Sequence, residues 1–123
     1  MTAAVVALVL LAALAVFQGL LVAGFPLGRF AWGGRSEVLP VGLRIGSVVS
    51  IALYAVFAVL ILQAAGCLTL LPAGFVAVAI WVLAGYFVLG IVLNAISRSR
   101  PERLVMTPVT VLLAAACLTL AVN

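Results

Sequence analysis

Residues 3–23 read AAVVALVLLAALAVFQGLLVA, an apolar run with no charged residue that is long enough to cross a membrane as a helix. About 20 apolar residues, each rising about 1.5 Å, span the hydrocarbon of a bilayer. Comparable runs follow at 45–65, 75–96 and 104–122. The sequence therefore predicts an all-α integral membrane protein, an up-down bundle of four transmembrane helices that forms a single domain over residues 1–123.

The composition favours the same class of protein. Of the 123 residues, 69% are hydrophobic and only 7% are charged, whereas a soluble domain has about 25% charged residues. So few charges cannot cover a surface that faces water. The first run lacks the basic start of a signal peptide and exceeds the usual apolar core of about 15 residues, so we expect it to be a retained span.

The basic residues predict how the chain is threaded. All six are arginines, and they fall in only two of the connections between apolar runs. The positive-inside rule places such connections in the cytoplasm, so we expect an N-out/C-out orientation in a bacterial-type plasma (inner) membrane. Basic residues beside spans also attract anionic lipid headgroups. We predict headgroup contacts for the interfacial side chain of Trp32 and for Arg29, Arg35, Arg44, Arg98, Arg100 and Arg103.

The longest connection, residues 24–39, reads GFPLGRFAWGGRSEVL. Glycine and proline interrupt it too often for a regular helix, yet its apolar side chains are too numerous for a free loop. We expect it to lie among the headgroups or to fold back over the bundle. Further on, the spacing of Ser99 and Glu102 matches a capping box, which predicts that Glu102 caps the fourth helix rather than acting as a catalyst.

Polar side chains inside the spans concentrate in the half next to the arginines. Ser50, for example, lies six residues beyond Arg44, which corresponds to a depth of about 9 Å. Helical periodicity gathers these residues into stripes. Two interpretations remain open: hydrogen bonds between helices, each contributing about 0.6 kcal/mol, or a pocket open to the cytoplasm with Arg44 and Arg98 at its mouth. This polar layer comprises Gln18, Ser47, Ser50, Tyr54, Tyr86, Asn94, Ser97, Thr107 and Thr110.

The residues that are missing narrow the range of functions. The chain has no histidine, lysine or aspartate, and its only acids are Glu37 and Glu102. We therefore predict no catalytic set, no metal site and no cofactor. Nucleic acid is not an expected partner, because the positive charge is confined to a membrane surface. For Cys67 and Cys117, small apolar packing is the expected role, although a disulfide between them is geometrically conceivable.

Two functions remain. The first is a non-catalytic membrane protein that binds lipid, a small amphiphile or a partner membrane protein through the polar layer and the arginine-rich connections. The alternative is a small-solute or ion transporter or channel that acts as a homo-oligomer. A wet cavity continuing past Tyr54 and Tyr86 would favour transport, whereas a pocket closed there by packed apolar side chains would favour binding.

Overall fold

The computed structural model describes residues 1–123 and contains four long helices and no strand. Helix α1 spans Thr2–Val22, α2 spans Val41–Ala64, α3 spans Ala73–Ala95 and α4 spans Arg100–Val122. Each helix is long and apolar enough to cross a membrane. The predicted up-down bundle of four transmembrane helices is therefore confirmed.

Proline and glycine set several helix boundaries. Pro40 and Pro72 immediately precede α2 and α3, where the missing backbone N–H of proline costs little. Gly24 and Gly66 follow α1 and α2 with φ values of 95° and 85°, a left-handed conformation that glycine adopts readily. These signals lie in the sequence itself, which is why it locates the helices well.

The predicted capping box at the start of α4 is wrong. Ser99 precedes the helix, but its side chain makes no capping hydrogen bond. Its hydroxyl instead donates to the backbone carbonyl of Arg29. Glu102 accepts a hydrogen bond from Ser97 Oγ at 2.8 Å. A tertiary contact has thus replaced the local cap.

The helices form a ring in which each packs against the two that adjoin it, with α1 closing against α4. The α3–α4 interface is the most extensive, and the α2–α3 interface is the least extensive of the four. Since successive helices are antiparallel, the connections 23–40 and 96–99 lie at the same end of the bundle. We call this the arginine end, and the end with connection 65–72 the opposite end.

The hydrophobic core fills the half of the bundle toward the opposite end. Fourteen buried residues form it, among them Leu11, Ile61, Leu83 and Leu113. Cys117 is buried in this core, whereas Cys67 is exposed, and both thiols are free. Large apolar side chains on all four helices point outward and are exposed, which is the distribution expected of a surface that faces lipid.

Residues 24–39, which we call the cover segment, fold back over the arginine end of the bundle. Two short 3-10 turns shape the segment, at Gly28–Phe30 and Trp32–Gly34. The Gly28 N–H donates to the Glu37 carbonyl at 2.8 Å, so that the segment closes on itself. Ala31 and Leu39 of the segment are buried with Leu21 of α1 in a small apolar cluster.

Candidate functional site

A cavity of about 350 Å³ lies in the half of the bundle toward the arginine end. All four helices and the cover segment contribute to its lining, which is mostly apolar. The lining also includes six residues of the polar layer predicted from the sequence. These are Gln18, Ser50, Tyr54, Tyr86, Asn94 and Thr110.

The other three residues of the predicted polar layer lie elsewhere. Ser47 is completely buried and accepts a hydrogen bond from the Trp32 indole. Ser97 follows the end of α3 and donates to Glu102. The Thr107 hydroxyl is buried without a hydrogen-bond partner, but the residue does not contribute to the cavity lining. The polar layer is therefore divided between a cavity wall and contacts that hold the bundle and its cover segment.

One wall of the cavity contains a hydrogen bond that joins α3 to α4. Asn94 Nδ2 donates to Thr110 Oγ1 at 2.8 Å, and this hydroxyl donates in turn to the Met106 carbonyl at 2.6 Å. Gly90 leaves room for the threonine, since a Cβ at this position would lie 3.0 Å from Thr110 Cγ2. The Asn94 NH2 group and the Thr110 hydroxyl are thus both bonded within the protein.

Gln18 on α1 is the buried residue of the cavity whose side-chain hydrogen bonds are incomplete. Its side chain is 8% exposed. The Nε2 atom lies 3.5 Å from the Tyr54 hydroxyl, a long contact for a hydrogen bond. The Oε1 atom is buried and has no partner. A buried carbonyl oxygen without a donor costs about 1–3 kcal/mol, so this atom is an unsatisfied acceptor beside the cavity.

Aromatic side chains close the cavity toward the opposite end. Tyr54 and Phe57 from α2 meet Tyr86 and Phe87 from α3, with ring centroids 5.3 to 6.4 Å apart. These separations are typical of favourable aromatic pairs. Beyond the rings lies the packed apolar core. The cavity therefore ends blindly about halfway along the bundle.

The cover segment closes the cavity at the arginine end, where Phe30, Ala31 and Trp32 contribute to the lining. Trp32 has a φ of 52°, which is uncommon for a residue other than glycine. Its indole N–H donates to Ser47 Oγ at 3.3 Å. A Cβ on Gly46 would lie 2.9 Å from two atoms of the indole ring, so glycine is required for this close approach.

On its remaining side the cavity opens between α2 and α3. Tyr86, Leu89 and Leu93 line the cavity although they are 50%, 58% and 58% exposed. These three residues form a stripe along α3, and the Tyr86 ring lies 5.5 Å from Phe57 of α2. The opening therefore lies beside the least extensive helix interface, at a depth where the exposed surface is apolar.

Charge is almost absent from the cavity. Glu102 is the only charged residue in its lining, and no arginine contributes to it. Arg44 and Arg98, expected at the mouth of such a pocket, do not contribute to the lining. Arg44 instead donates from Nε to the Leu39 carbonyl at 2.8 Å, because the chain turns there into α2 and leaves this acceptor within reach.

Arg98 lies with Arg35 in a separate polar depression of about 490 Å³ on the arginine end. Gly33, Gly34 and Ser99 complete its lining. The remaining arginines lie outside both sites: the Arg29 guanidinium is 5.0 Å from the Phe30 ring centroid, Arg103 donates to the Ser97 carbonyl at 3.0 Å, and Arg100 is exposed.

The cavity residues that the sequence did not assign to the site include Phe30, Ala31 and Glu102. A signal for the first two was present, because residues 30–32 form an apolar triplet within a connection. Nothing in the local sequence around Glu102 distinguishes a cavity residue from a helix cap.

No protein-family model, curated protein or solved structure matches this chain. Its function must therefore be argued from the geometry of the cavity.

Proposed function

We propose that the protein binds a single-chain amphiphile, taken up sideways from the membrane, and does not catalyse a reaction on it. The observation that carries the proposal is a mostly apolar cavity that is closed at one end and open between α2 and α3. Its volume of about 350 Å³ lies near the lower limit of about 300–1,000 Å³ typical of ligand sites. One chain suits this volume better than a lipid with two chains.

The blind end of the cavity argues against the alternative, a transporter or channel. A solute moving along the bundle axis would have to pass the aromatic rings and then the buried core around Leu83 and Leu113. The buried core offers no polar side chains to replace the water around an ion. The packed core does not argue against a transport path that runs between the copies of a homo-oligomer.

The arginine end supports a second part of the proposal, contact with anionic headgroups. Arg35 and Arg98 come from different connections and share one depression, and each basic residue near an anionic surface contributes about 1 kcal/mol of attraction. By the positive-inside rule we place this end in the cytoplasm of a bacterial-type plasma membrane. Anionic headgroups bound there would keep the lipid leaflet that contains the amphiphile in contact with the opening of the cavity.

Native mass spectrometry from a mild detergent tests the binding proposal and reports the number of subunits in the same spectrum. The wild-type protein should retain one single-chain molecule per chain. Ser50→Phe places a large ring in the cavity and should abolish retention, whereas Val49→Phe adds the same ring to an exposed position on the same helix and should not. Equal retention by both variants would place the bound molecule outside the cavity.

A further inference from the structure

The polar depression on the arginine end is lined by two arginines and by no acidic residue. Arg35 belongs to the cover segment, and Arg98 belongs to the connection between α3 and α4. Gly33, Gly34 and Ser99, which complete the lining, are uncharged. The depression therefore holds two positive charges without a carboxylate to balance them.

Contacts between neighbouring residues bring the two arginines together. Gly34 lies so close to Ser99 that a Cβ on the glycine would overlap the serine side chain. The Ser99 hydroxyl also donates to the Arg29 carbonyl. Arg35 follows Gly34 in the chain and Arg98 precedes Ser99, so this contact places both arginines at one depression. Since like charges repel, an anion between them stabilises the arrangement.

The guanidinium groups of both arginines are available to a ligand. Arg44 and Arg103 donate hydrogen bonds to backbone carbonyls. By contrast, Arg35 and Arg98 donate none, and both are exposed. Each guanidinium group presents five N–H donors in a planar fork that fits phosphate oxygens. Two forks can bind the three terminal oxygens of a phosphomonoester, whereas a carboxylate or a phosphodiester offers only two.

The position of the depression favours a membrane lipid as the source of this group. Residues 96–99 are the only residues between α3 and α4, and both helices are long and apolar enough to span a membrane. So short a connection keeps Arg98 near the bilayer surface, where anionic lipids present phosphate groups.

We propose that the depression is a binding site for the phosphomonoester headgroup of an anionic lipid, which Arg35 and Arg98 hold between them. This proposal rests on the second part of the proposed function, contact with anionic headgroups, and goes further by naming one site and one headgroup chemistry. Because one arginine lies in the cover segment and the other in the α3–α4 connection, a bound phosphate joins the two. Binding therefore stabilises the cover segment over the cavity.

Competition between lipids with identical chains tests the proposal. Native mass spectrometry at pH 8 compares dimyristoyl phosphatidate, whose phosphomonoester carries about two negative charges, with dimyristoyl phosphatidylglycerol, a singly charged phosphodiester. One hydrogen bond to a charged group changes an affinity by about 10-fold or more, so wild type should prefer phosphatidate by about 10-fold. sn-Glycerol 3-phosphate has the same phosphomonoester without chains and should bind much more weakly. Equal affinity for it would overturn the lipid as the source.

Arg35→Gln and Arg98→Gln should each abolish the preference for phosphatidate. Arg100→Gln removes the same charge from an exposed arginine outside the depression, and this matched control should keep the preference. Hydrogen exchange reports the cover segment, through the Gly28 amide that donates to the Glu37 carbonyl. Phosphatidate should slow its exchange in wild type and in Arg100→Gln, but in neither variant of the depression.

The results that contradict this site differ from those that contradict amphiphile binding. The site is overturned if wild type binds both anionic lipids equally, or if Arg100→Gln loses the preference as fully as Arg35→Gln and Arg98→Gln do. If neither lipid binds more tightly than dimyristoyl phosphatidylcholine, headgroup contact is overturned as well. An unchanged exchange rate of the Gly28 amide would overturn the effect on the cover segment.

Ser50→Phe separates the depression from the cavity. This variant fills the cavity and should keep the preference for phosphatidate, and loss of the preference would place the lipid in the cavity and overturn the site. Retention of a single-chain amphiphile by the same variant tests the proposed function independently.

Discussion

The indole N–H of Trp32 donates to Oγ of Ser47 over 3.3 Å, joining the cover segment to α2. Ser47 is completely buried and Trp32 is 42% exposed. The indole ring therefore covers the serine while part of the ring remains exposed. Gly46, one residue earlier, provides the space for the ring. This pair holds the cover segment in place at the arginine end of the cavity.

Gly46→Ala should displace the indole. The added Cβ would lie 2.9 Å from two ring atoms, closer than packed carbon atoms tolerate, and the exposed ring can move outward. In a Trp81→Phe background, where Trp32 is the only tryptophan, we expect emission at longer wavelength and stronger quenching by iodide. Gly42→Ala, on the same helix with nothing within 4 Å of the new Cβ, should leave both properties unchanged. Similar spectra for the two variants would contradict the Trp32–Gly46 contact.

Gly34→Ala should release the cover segment from the start of α4. A Cβ there would overlap the side chain of Ser99, whereas a Cβ on Gly33 would meet nothing within 4 Å. Both glycines have positive φ, 75° and 72°, so an alanine at either position carries a similar conformational cost of about 1–2 kcal/mol. Gly33→Ala is therefore the matched control, and the difference between the variants reports the Ser99 contact. Hydrogen exchange of the Gly28 amide should accelerate more in Gly34→Ala, and equal rates would refute this contact.

Gly90→Ala should destabilise the α3–α4 interface by about 1–3 kcal/mol, the usual cost of overpacking. The new Cβ would lie 3.0 Å from Thr110 Cγ2, and two hydrogen bonds prevent that threonine from rotating away. Gly85→Ala meets nothing within 4 Å and should be neutral. Adding Thr110→Ser, which removes the methyl group and keeps the hydroxyl, should restore stability to the Gly90→Ala protein in detergent unfolding. A deficit unaffected by Thr110→Ser would locate the strain elsewhere.

Asn94→Leu should weaken the bundle by about 0.6 kcal/mol, the average for a hydrogen bond between membrane helices, and by no more than about 1.7 kcal/mol. The loss arises from the bond to Thr110, so a double-mutant cycle with Thr110→Val should show coupling between the two positions. Thr119→Val is a suitable control, because that hydroxyl is exposed and bonds within its own helix. Additive effects of Asn94→Leu and Thr110→Val on the unfolding midpoint would disprove the interaction.

The sequence predicts the fold well because its signals are local and strong. Apolar runs such as residues 3–23 require spanning helices, and prolines such as Pro40 and Pro72 mark where helices begin. The separation of arginines into two connections requires an even number of spans between them if they share a side. Each of these arguments uses only the positions of residues along the chain, and none requires knowledge of a distant contact.

The site is predicted less completely because it depends on contacts between distant residues. Helical periodicity correctly groups residues of one helix, such as Asn94 with Gly90, but it cannot show that the cover segment returns to place Trp32 on Ser47. Likewise, the Ser99–Glu102 spacing fits a capping box until the Arg29 carbonyl approaches Ser99 from 70 residues away. Local rules fail at both positions because a tertiary hydrogen bond competes with them.

The two tryptophans provide the most direct test of an amphiphile-binding cavity, since Trp32 lines the cavity and Trp81 lies 51% exposed on the outer surface of α3. Quenching by 12-bromododecanol should be measured in nanodiscs for Trp81→Phe and Trp32→Phe, each of which retains one tryptophan. We predict saturable quenching of Trp32, which Ser50→Phe should abolish and Val49→Phe should preserve. Trp81 should show only a linear response, which follows the partitioning of the quencher into the membrane. Linear quenching of both tryptophans, unchanged by Ser50→Phe, would contradict this prediction.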